Sequence, residues 1–249
     1  MLYHLIDSSF FTYLFPCLLL LSIGIGFYLA KRQEKRTGKP AKSSGIDGPV
    51  ISFFALLISF TLASVGGSMK DRLSLIHQQS DGLANLYRET LTQPDSTRTE
   101  IKRFLIEHIN IQVENRKLNE QVNDRMLVEI GENNARFLAE MKRQGKLSAI
   151  LPPFQAMTST TYKLIYSYDE RMPRVVMVLL LFSSLLIGAL IGFLNGSNQD
   201  RHYLAPLIYV VLVVLTIQAI RDLDNPSVGT VQPSYENLQG VKLLIEAGG

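Results

Sequence analysis

The run PVISFFALLISFTLASVGGSM, residues 49–69, carries no charged side chain. An α-helix rises about 1.5 Å per residue, so a run of this length can cross the roughly 30 Å hydrocarbon core of a bilayer. The run is also rich in hydroxyl groups, which belong to Ser52, Ser59, Thr61, Ser64 and Ser68. The stretch therefore predicts a membrane-spanning helix that is unusually polar.

Three further uncharged runs of similar length occupy residues 10–30, 175–194 and 203–220. The first could be a secretory signal, but its basic cluster follows the apolar run instead of preceding it, which favours a retained helix. We therefore predict an all-α integral membrane protein with four transmembrane helices. The expected divisions are 1–68 for helices 1 and 2 with a basic linker at 31–48, 69–172 for an inserted domain, 173–221 for helices 3 and 4, and 222–249 for a C-terminal extramembrane segment.

The inserted stretch, residues 69–172, reads as helical throughout. Its basic and acidic residues are interspersed, which is typical of a solvated helical surface and not of a nucleic-acid interface. Its apolar residues recur at the spacing of one helix face, as in Ile101, Phe104, Leu105 and Ile109. We therefore predict a helical extramembrane domain between the second and third transmembrane helices, and no nucleic-acid partner.

Helix ends within this domain are marked by a few residues. Asp95-Ser96-Thr97 follows Pro94 and precedes Glu100, which predicts a capping box at a helix start. Gly145 and the pair Pro152-Pro153 are expected to break helices. No proline separates the second transmembrane helix from residues 69–91, so that helix is predicted to leave the membrane unbroken.

Residues that commonly carry chemistry are sparse in this chain. Cys17 is the single cysteine, so no internal disulfide forms. No GxSxG, phosphate-loop or dinucleotide-binding motif occurs. His108 lies among apolar residues and is interpreted as a helix-packing residue. Metal-ligand spacing is absent among the four histidines, which are His4, His77, His108 and His202. We expect no metal site, no cofactor and no enzymatic activity.

Small residues recur four apart in the third transmembrane helix, at Ser184, Gly188, Gly192 and Gly196. Such a stripe lets a second helix approach closely, so we predict a helix-packing groove, with a permeation role for the same face as the alternative. Gly24 and Gly26 in the first helix are assigned the same kind of helix contact.

Two acidic residues follow the fourth transmembrane helix, Asp222 and Asp224, just before Asn225-Pro226. The simplest interpretation is that they end the helix and start a turn. The alternatives are a ring of carboxylates around a pore mouth, which would favour cations, or pairing with Arg221 or Arg174.

Six cations lie in the short linker KRQEKRTGKPAK, residues 31–42, against the single acid Glu34. Cationic loops stay on the cytoplasmic side, so the charge rule places this linker in the cytoplasm. The inserted domain and both termini are then periplasmic, in the inner membrane of a bacterium.

Three blocks of the sequence resemble the bestrophin-like bacterial membrane proteins, distant relatives of the bestrophin ion channels. These blocks are residues 53–87, 150–182 and 220–245, and their most specific element is the Asp-Leu-Asp-x-Pro signature that begins at Asp222. The resemblance implies an all-helical fold and a pentameric ion channel whose pore is lined by the second transmembrane helix.

Applied to this chain, the resemblance makes one face of residues 49–69 the pore lining. Leu56, Phe60 and Ser64 are spaced by four and would form a neck, with Ser59 and Thr61 flanking it. The leading hypothesis is an oligomeric, pentameric ion channel whose partners are membrane lipids, copies of itself and small inorganic ions. The alternative is a non-conducting scaffold or sensor whose helical domain binds a protein or a lipid.

Two departures from the bestrophins stand out. The chain has no Trp, whereas bestrophins carry a Trp-rich stretch after the second helix. Bestrophins also keep the region between helices 2 and 3 in the cytosol, whereas the basic linker predicts the opposite side. We favour the charge rule, because translocating six cations is costly.

Overall fold

The computed structural model describes residues 6, 8–38, 45–114, 120–197, 203–225, 231 and 233–247, and its regular structure within these ranges is entirely helical. Outside the described residues lie His4, Lys39, Lys42, His202 and Pro226. Eight α-helices, renumbered here in chain order, and a 3₁₀ turn at Thr90–Thr92 make up the described chain. The helices are α1 (Ser9–Thr37), α2 (Asp47–Glu89), α3 (Asp95–Glu114), α4 (Glu120–Arg143), α5 (Leu147–Asp169), α6 (Arg174–Ser197), α7 (Leu204–Asp224) and α8 (Glu236–Ala247).

Four helical stretches are long and apolar enough to cross a membrane: Phe10–Thr37, Asp47–Thr92, Leu147–Ser197 and Leu204–Asp224. The third stretch contains α5 and α6, of which α6 is the more apolar. The all-helical class and the four long apolar helices predicted from the sequence are confirmed, and they identify a multi-pass membrane protein.

The first helix outlasts its apolar run and continues to Thr37 through part of the basic linker. Ser8 caps its start, because the Ser8 side chain accepts a hydrogen bond from the Phe11 N–H at 3.3 Å. Gly38 ends it in the left-handed conformation at φ 67°, and the Gly38 N–H donates to the Glu34 carbonyl at 2.9 Å. The linker cations up to Arg36 are therefore helical.

The second helix is continuous from Asp47 to Glu89, as the absence of an interrupting proline predicted. Two details of the predicted helix ends are wrong. The third helix starts at Asp95, so Thr97 lies inside it and donates to Gln144 at 2.7 Å instead of capping. Pro152 and Pro153 lie within α5 and do not break it, whereas Gly145, at φ 67°, does lie between α4 and α5.

The chain divides into two compact units. Unit 1 comprises Met1–Gly67 and Met172–Asp224, and unit 2 comprises Ser68–Arg171 and Asn225–Gly249. In unit 1, α1 and α6 pair closely, α7 approaches both, and α2 approaches no other helix backbone as closely. The interior of unit 1 is apolar and includes Phe15, Leu19, Phe54, Leu180, Ile187 and Ile217.

Unit 2 is built around aromatic rings from three helices. Phe104 of α3 stacks on Phe137 of α4 with ring centroids 4.2 Å apart, and Phe154 of α5 lies 5.8 Å from Phe104 and 5.6 Å from Phe137. From α8, Leu238 and Ile245 are buried in the same core. Burial of these side chains holds the helices of unit 2 together.

Candidate functional site

The part of α2 in unit 1 has a buried face and an exposed face. Phe54, Thr61 and Val65 are buried. Leu56 and Phe60 are 53% and 68% exposed, and Ser59 and Ser64 are exposed as well. Four of the five pore-lining candidates therefore lie together on the accessible side of the helix.

Thr61 is the exception among these candidates. It is 3% exposed and its hydroxyl donates to the Leu57 carbonyl at 2.8 Å, so the structure places it with the interior of unit 1. Ser59 makes the same kind of bond, donating to the Ala55 carbonyl at 2.9 Å, but it stays exposed. A hydroxyl that donates to its own helix keeps lone pairs that can accept or coordinate. Ser59 thus offers an accessible oxygen, and Thr61 does not.

The small-residue stripe of α6 lies buried against α1. Ser184, Gly188, Gly192 and Gly196 are all buried. A Cβ added at Gly192 would overlap the backbone of Ile23, and one at Gly196 would lie 2.9 Å from the Ala30 Cβ. The stripe therefore lets the α6 backbone approach α1 at van der Waals distance.

From the other side of this contact, Gly26 of α1 faces the Ala189 carbonyl, whereas a Cβ at Gly24 would meet nothing within 4 Å. Only Gly26 of the two α1 glycines serves this packing. The Ser22 hydroxyl donates to the Leu185 carbonyl across the same contact, so a polar bond accompanies the close approach.

The two aspartates after the fourth transmembrane helix have different surroundings. Asp224 is 5% exposed, and its Oδ1 accepts the Met172 N–H at 2.7 Å. Asp222 is partly buried, 3.8 Å from the Arg221 guanidinium. Asp224 therefore ties the end of α7 to the segment that precedes α6. This charge-assisted bond to a backbone amide goes beyond the helix-ending role predicted from the sequence.

Arg221 also contacts the start of α1. Its Nη1 donates to the Thr12 hydroxyl at 2.9 Å. Its Nε is buried and has no hydrogen-bond partner among the residues that the structure describes. The polar contacts of Arg221 link α7 to α1 within unit 1.

In unit 2, Arg72 is a buried cation that sequence reasoning missed. It is 1% exposed; its Nε donates to the Ser167 carbonyl at 3.0 Å and its Nη2 to the Glu170 carbonyl at 2.9 Å. Its guanidinium also lies 5.9 Å from the centre of the Tyr168 ring. Arg72 thereby satisfies carbonyls at the end of α5 that have no partner within the helix.

A signal for Arg72 does exist in the sequence. Met69, Arg72, Ile76 and Leu83 recur three, four and seven apart, and all four are buried. An arginine on an otherwise apolar helix face needs partners inside the protein, because an unpaired buried charge is costly. This position is therefore readable as a buried structural cation.

Three polar side chains meet inside unit 2. Gln79 donates through Nε2 to the Thr161 hydroxyl at 2.8 Å, and the His108 Nε2 lies 3.2 Å from the same hydroxyl. Burial lowers the pKa of His108 to about 4, so its ring is neutral at pH 7. Its Nδ1 has no hydrogen-bond partner in the described part of the chain. Among the described residues, no group of three or more His, Cys, Asp or Glu could hold a metal ion.

Tyr168 of α5 lies close to the segment that precedes α8. Its hydroxyl is 2.6 Å from the Tyr235 hydroxyl. Burial raises the pKa of Tyr168, with the Tyr235 hydroxyl as a further cause. The pair is therefore a neutral hydrogen bond that fastens the C-terminal segment to α5.

Comparison with known proteins agrees with the resemblance read from the sequence. A family model for the bestrophin-like domain matches residues 26–238. One solved structure, described as the crystal structure of a membrane protein, aligns with a TM-score of 0.60 and 14% identity over 95% of this chain and 96% of that one, which shows a shared fold. No curated protein matches the chain. Since the family model covers most of its length, this chain belongs to the bestrophin-like family.

Proposed function

We propose that this protein assembles with copies of itself into an ion-conducting pore, and that α2 lines the pore. The observation that carries the proposal is the exposed face of α2 formed by Leu56, Phe60, Ser59 and Ser64, in a chain of a channel-like family. A membrane helix that exposes hydroxyls next to large apolar side chains suits a narrow aqueous path.

The composition of the exposed surfaces supports this assignment. The exposed face of α7 consists largely of aliphatic side chains such as Leu207, Val211 and Leu215, which suit lipid. The exposed surface of α2 in unit 1 mixes large residues with small and hydroxyl ones: Ser52, Ala55, Ser59, Ala63, Ser64 and Gly67. A hydroxyl that donates to its own helix still has lone pairs that only water or another protein copy can use, so such contact explains the α2 surface better than lipid does.

In a ring of copies, the Leu56 and Phe60 side chains would form the narrowest, apolar part of the path. Such a constriction closes by losing its water and opens when it is wetted. The hydroxyl oxygens of Ser59 and Ser64, next to this neck, would replace part of the hydration shell of a passing ion. The ring is proposed to contain five copies, as the family resemblance implies, in a bacterial inner membrane.

Ion flux into liposomes that contain the purified protein tests the proposal. We expect the wild type to conduct, and Phe60→Ala to raise the flux severalfold, because a smaller side chain widens and wets the neck. Phe182→Ala is the matched control, since Phe182 is 58% exposed and belongs to α6, not to the proposed pore helix. It should conduct like the wild type. A wild type without flux at any voltage or pH would refute the channel.

A second candidate function is a non-conducting scaffold or sensor, and one feature of unit 2 favours it. A cleft of about 430 Å³ lies between α2 and α5, within the size range of small-molecule sites. Its walls include the polar residues Ser68, Asp71, Lys163, Tyr166 and Glu170. Mass measurement in gentle detergent separates the two candidates: a monomer or dimer favours the scaffold, and a ring with an axial hole favours the channel.

A further inference from the structure

The part of α2 that belongs to unit 2 presents an exposed face that is polar along its whole length. Its residues follow one another at steps of three or four, the spacing of a single helix face. All are exposed, and we call them the polar stripe: Asp71, Ser74, Gln78, Asp81, Asn85 and Arg88.

The spacing of the polar stripe continues that of the proposed pore lining. Counting back along the same unbroken helix from Asp71 in steps of four, three and four gives Gly67, Ser64 and Phe60. Each of these three is exposed as well. One face of α2 therefore runs from an apolar neck position to hydroxyls and then to amides and carboxylates.

A stripe with this spacing would pack as a coiled coil if it were apolar. The polar stripe holds no apolar residue, so packing copies tightly along it would bury carboxylates and amides without partners. Copies arranged around a water-filled space leave these groups solvated. The composition of the stripe therefore favours a lumen over a helix contact.

Two negative charges on the stripe stay uncompensated. Asp71 and Asp81 form no ion pair with any residue in the described ranges. Three other carboxylates of unit 2 differ in this respect: Glu100, Glu107 and Glu140 pair with Arg103, Arg136 and Arg143.

Two of the cations near Asp71 and Asp81 have hydrogen-bond partners of their own. Arg72 is buried and donates to the carbonyls of Ser167 and Glu170. Lys163 of α5 lines the same cleft as Asp71 and Glu170. Arg88, at the far end of the stripe, donates to the Asn85 side chain at 2.6 Å.

We infer that the polar stripe lines the aqueous part of the conduction path, and that Asp71 and Asp81 make this path selective for small inorganic cations. The inference rests on the proposed function and names the ion class that it conducts. In a ring of copies each aspartate becomes a ring of carboxylates, which raises the local cation concentration and lowers that of anions. Ser74, Gln78 and Asn85 supply neutral oxygens between the two rings.

Reversal potentials in planar bilayers under a KCl gradient test the inference on the purified full-length protein. The wild type should show a cation-to-anion permeability ratio well above 1. Asp71→Asn/Asp81→Asn should lower the ratio at least about twofold at ionic strengths near 0.01 M, where the Debye length is roughly 30 Å, and less at high salt. Asp95→Asn is the control, because Asp95 is an exposed aspartate of unit 2 that lies on α3 and is not part of the stripe.

The outcomes are distinguishable. An unchanged reversal potential in the double variant of a conducting channel, or a wild type that prefers anions, would overturn the inference and leave the channel standing. Absence of any wild-type conductance would overturn both. Asp81→Lys is a further variant, which reverses the charge at this position. It should shift the reversal potential further towards the equilibrium potential of the anion than the double Asp→Asn variant does.

Discussion

His108 illustrates how a single residue of this protein depends on its surroundings. Its ring is fully buried between α3 and α5 and contacts the Thr161 hydroxyl. Burial disfavours the charged form and lowers the pKa to about 4 from a usual value of 6.5. The unfolded chain therefore binds a proton more readily than the folded one between these two pKa values. The contribution of His108 to stability is complete above pH 6.5 and falls as the pH drops towards 4.

We predict that His108→Gln makes stability less sensitive to acid. A glutamine amide can still bond Thr161, and it does not titrate. The difference in pKa corresponds to about 3 kcal/mol of folding free energy that the wild type loses between pH 6.5 and 4. Thermal unfolding of the full-length protein in detergent, at pH 7.5 and at pH 4.5, measures the difference.

Carboxylates titrate over part of the same range, so the comparison with the wild type isolates the histidine. His77→Gln is the matched control, because His77 is exposed on α2. It should retain the full acid sensitivity. Equal acid sensitivity in His108→Gln and the wild type would contradict the assigned neutral, buried ring.

At the scale of the helical element, the contact of α1 with α6 depends on the absence of side chains. Gly192 lies directly against the Ile23 backbone, and Gly26 against the Ala189 carbonyl. In lipid no hydrophobic driving force pulls helices together, so close van der Waals packing and the Ser22 bond to the Leu185 carbonyl must supply the attraction.

We predict that Gly192→Leu separates these two helices. A leucine side chain there overlaps backbone atoms, which cannot move as freely as a side-chain tip. The loss in folding free energy should therefore lie at the upper end of the range for overpacking, about 3 kcal/mol. The measurement is the thermal unfolding midpoint in detergent. Gly24→Leu is the matched control on α1, since a Cβ there meets nothing within 4 Å. Equal midpoints for the two variants would contradict the close contact.

At the scale of the whole molecule, the charge distribution and the resemblance to bestrophins predict opposite orientations in the membrane. Lys31, Arg32, Lys35 and Arg36 lie in the last turns of α1, with Glu34 bonded to Lys31 at 2.7 Å. Among the described residues, the other three cations pair with no acidic side chain. The number of cations beside the membrane helix favours a cytoplasmic location, whether or not they are paired.

We predict that a phosphatase active only in the periplasm is active when inserted near Ser96 and inactive when inserted near Gly38. The reason is that translocating the cationic end of α1 costs more than translocating the mixed-charge surface of residues 69–172. A fluorescent reporter that folds only in the cytoplasm, placed at the same sites, provides the complementary control. The reverse pattern would assign the bestrophin arrangement to this chain.

The local sequence pattern was sufficient to predict that the chain is an all-helical membrane protein. Four membrane helices could be predicted because bilayer thickness sets the length of each apolar run. That requirement applies to each run by itself and does not depend on how the helices pack. The bestrophin-like family was readable from three blocks, the last of which contains the Asp222-Leu223-Asp224 signature, and the family model confirms it. The continuity of α2 likewise followed from a local property, the absence of proline between residues 50 and 89.

Tertiary structure alone decided which residues meet. Thr61 faces the interior while Ser59 does not, Arg72 binds carbonyls 95 and 98 residues away, and Asp224 binds the Met172 amide. Pro152 and Pro153 lie inside a helix that packing stabilises despite their missing N–H groups. Spacing along a chain tells which residues share a helix face, but the direction of that face depends on distant segments. Those contacts form only when the helices pack, because burial and hydrogen bonding between them outweigh local preference.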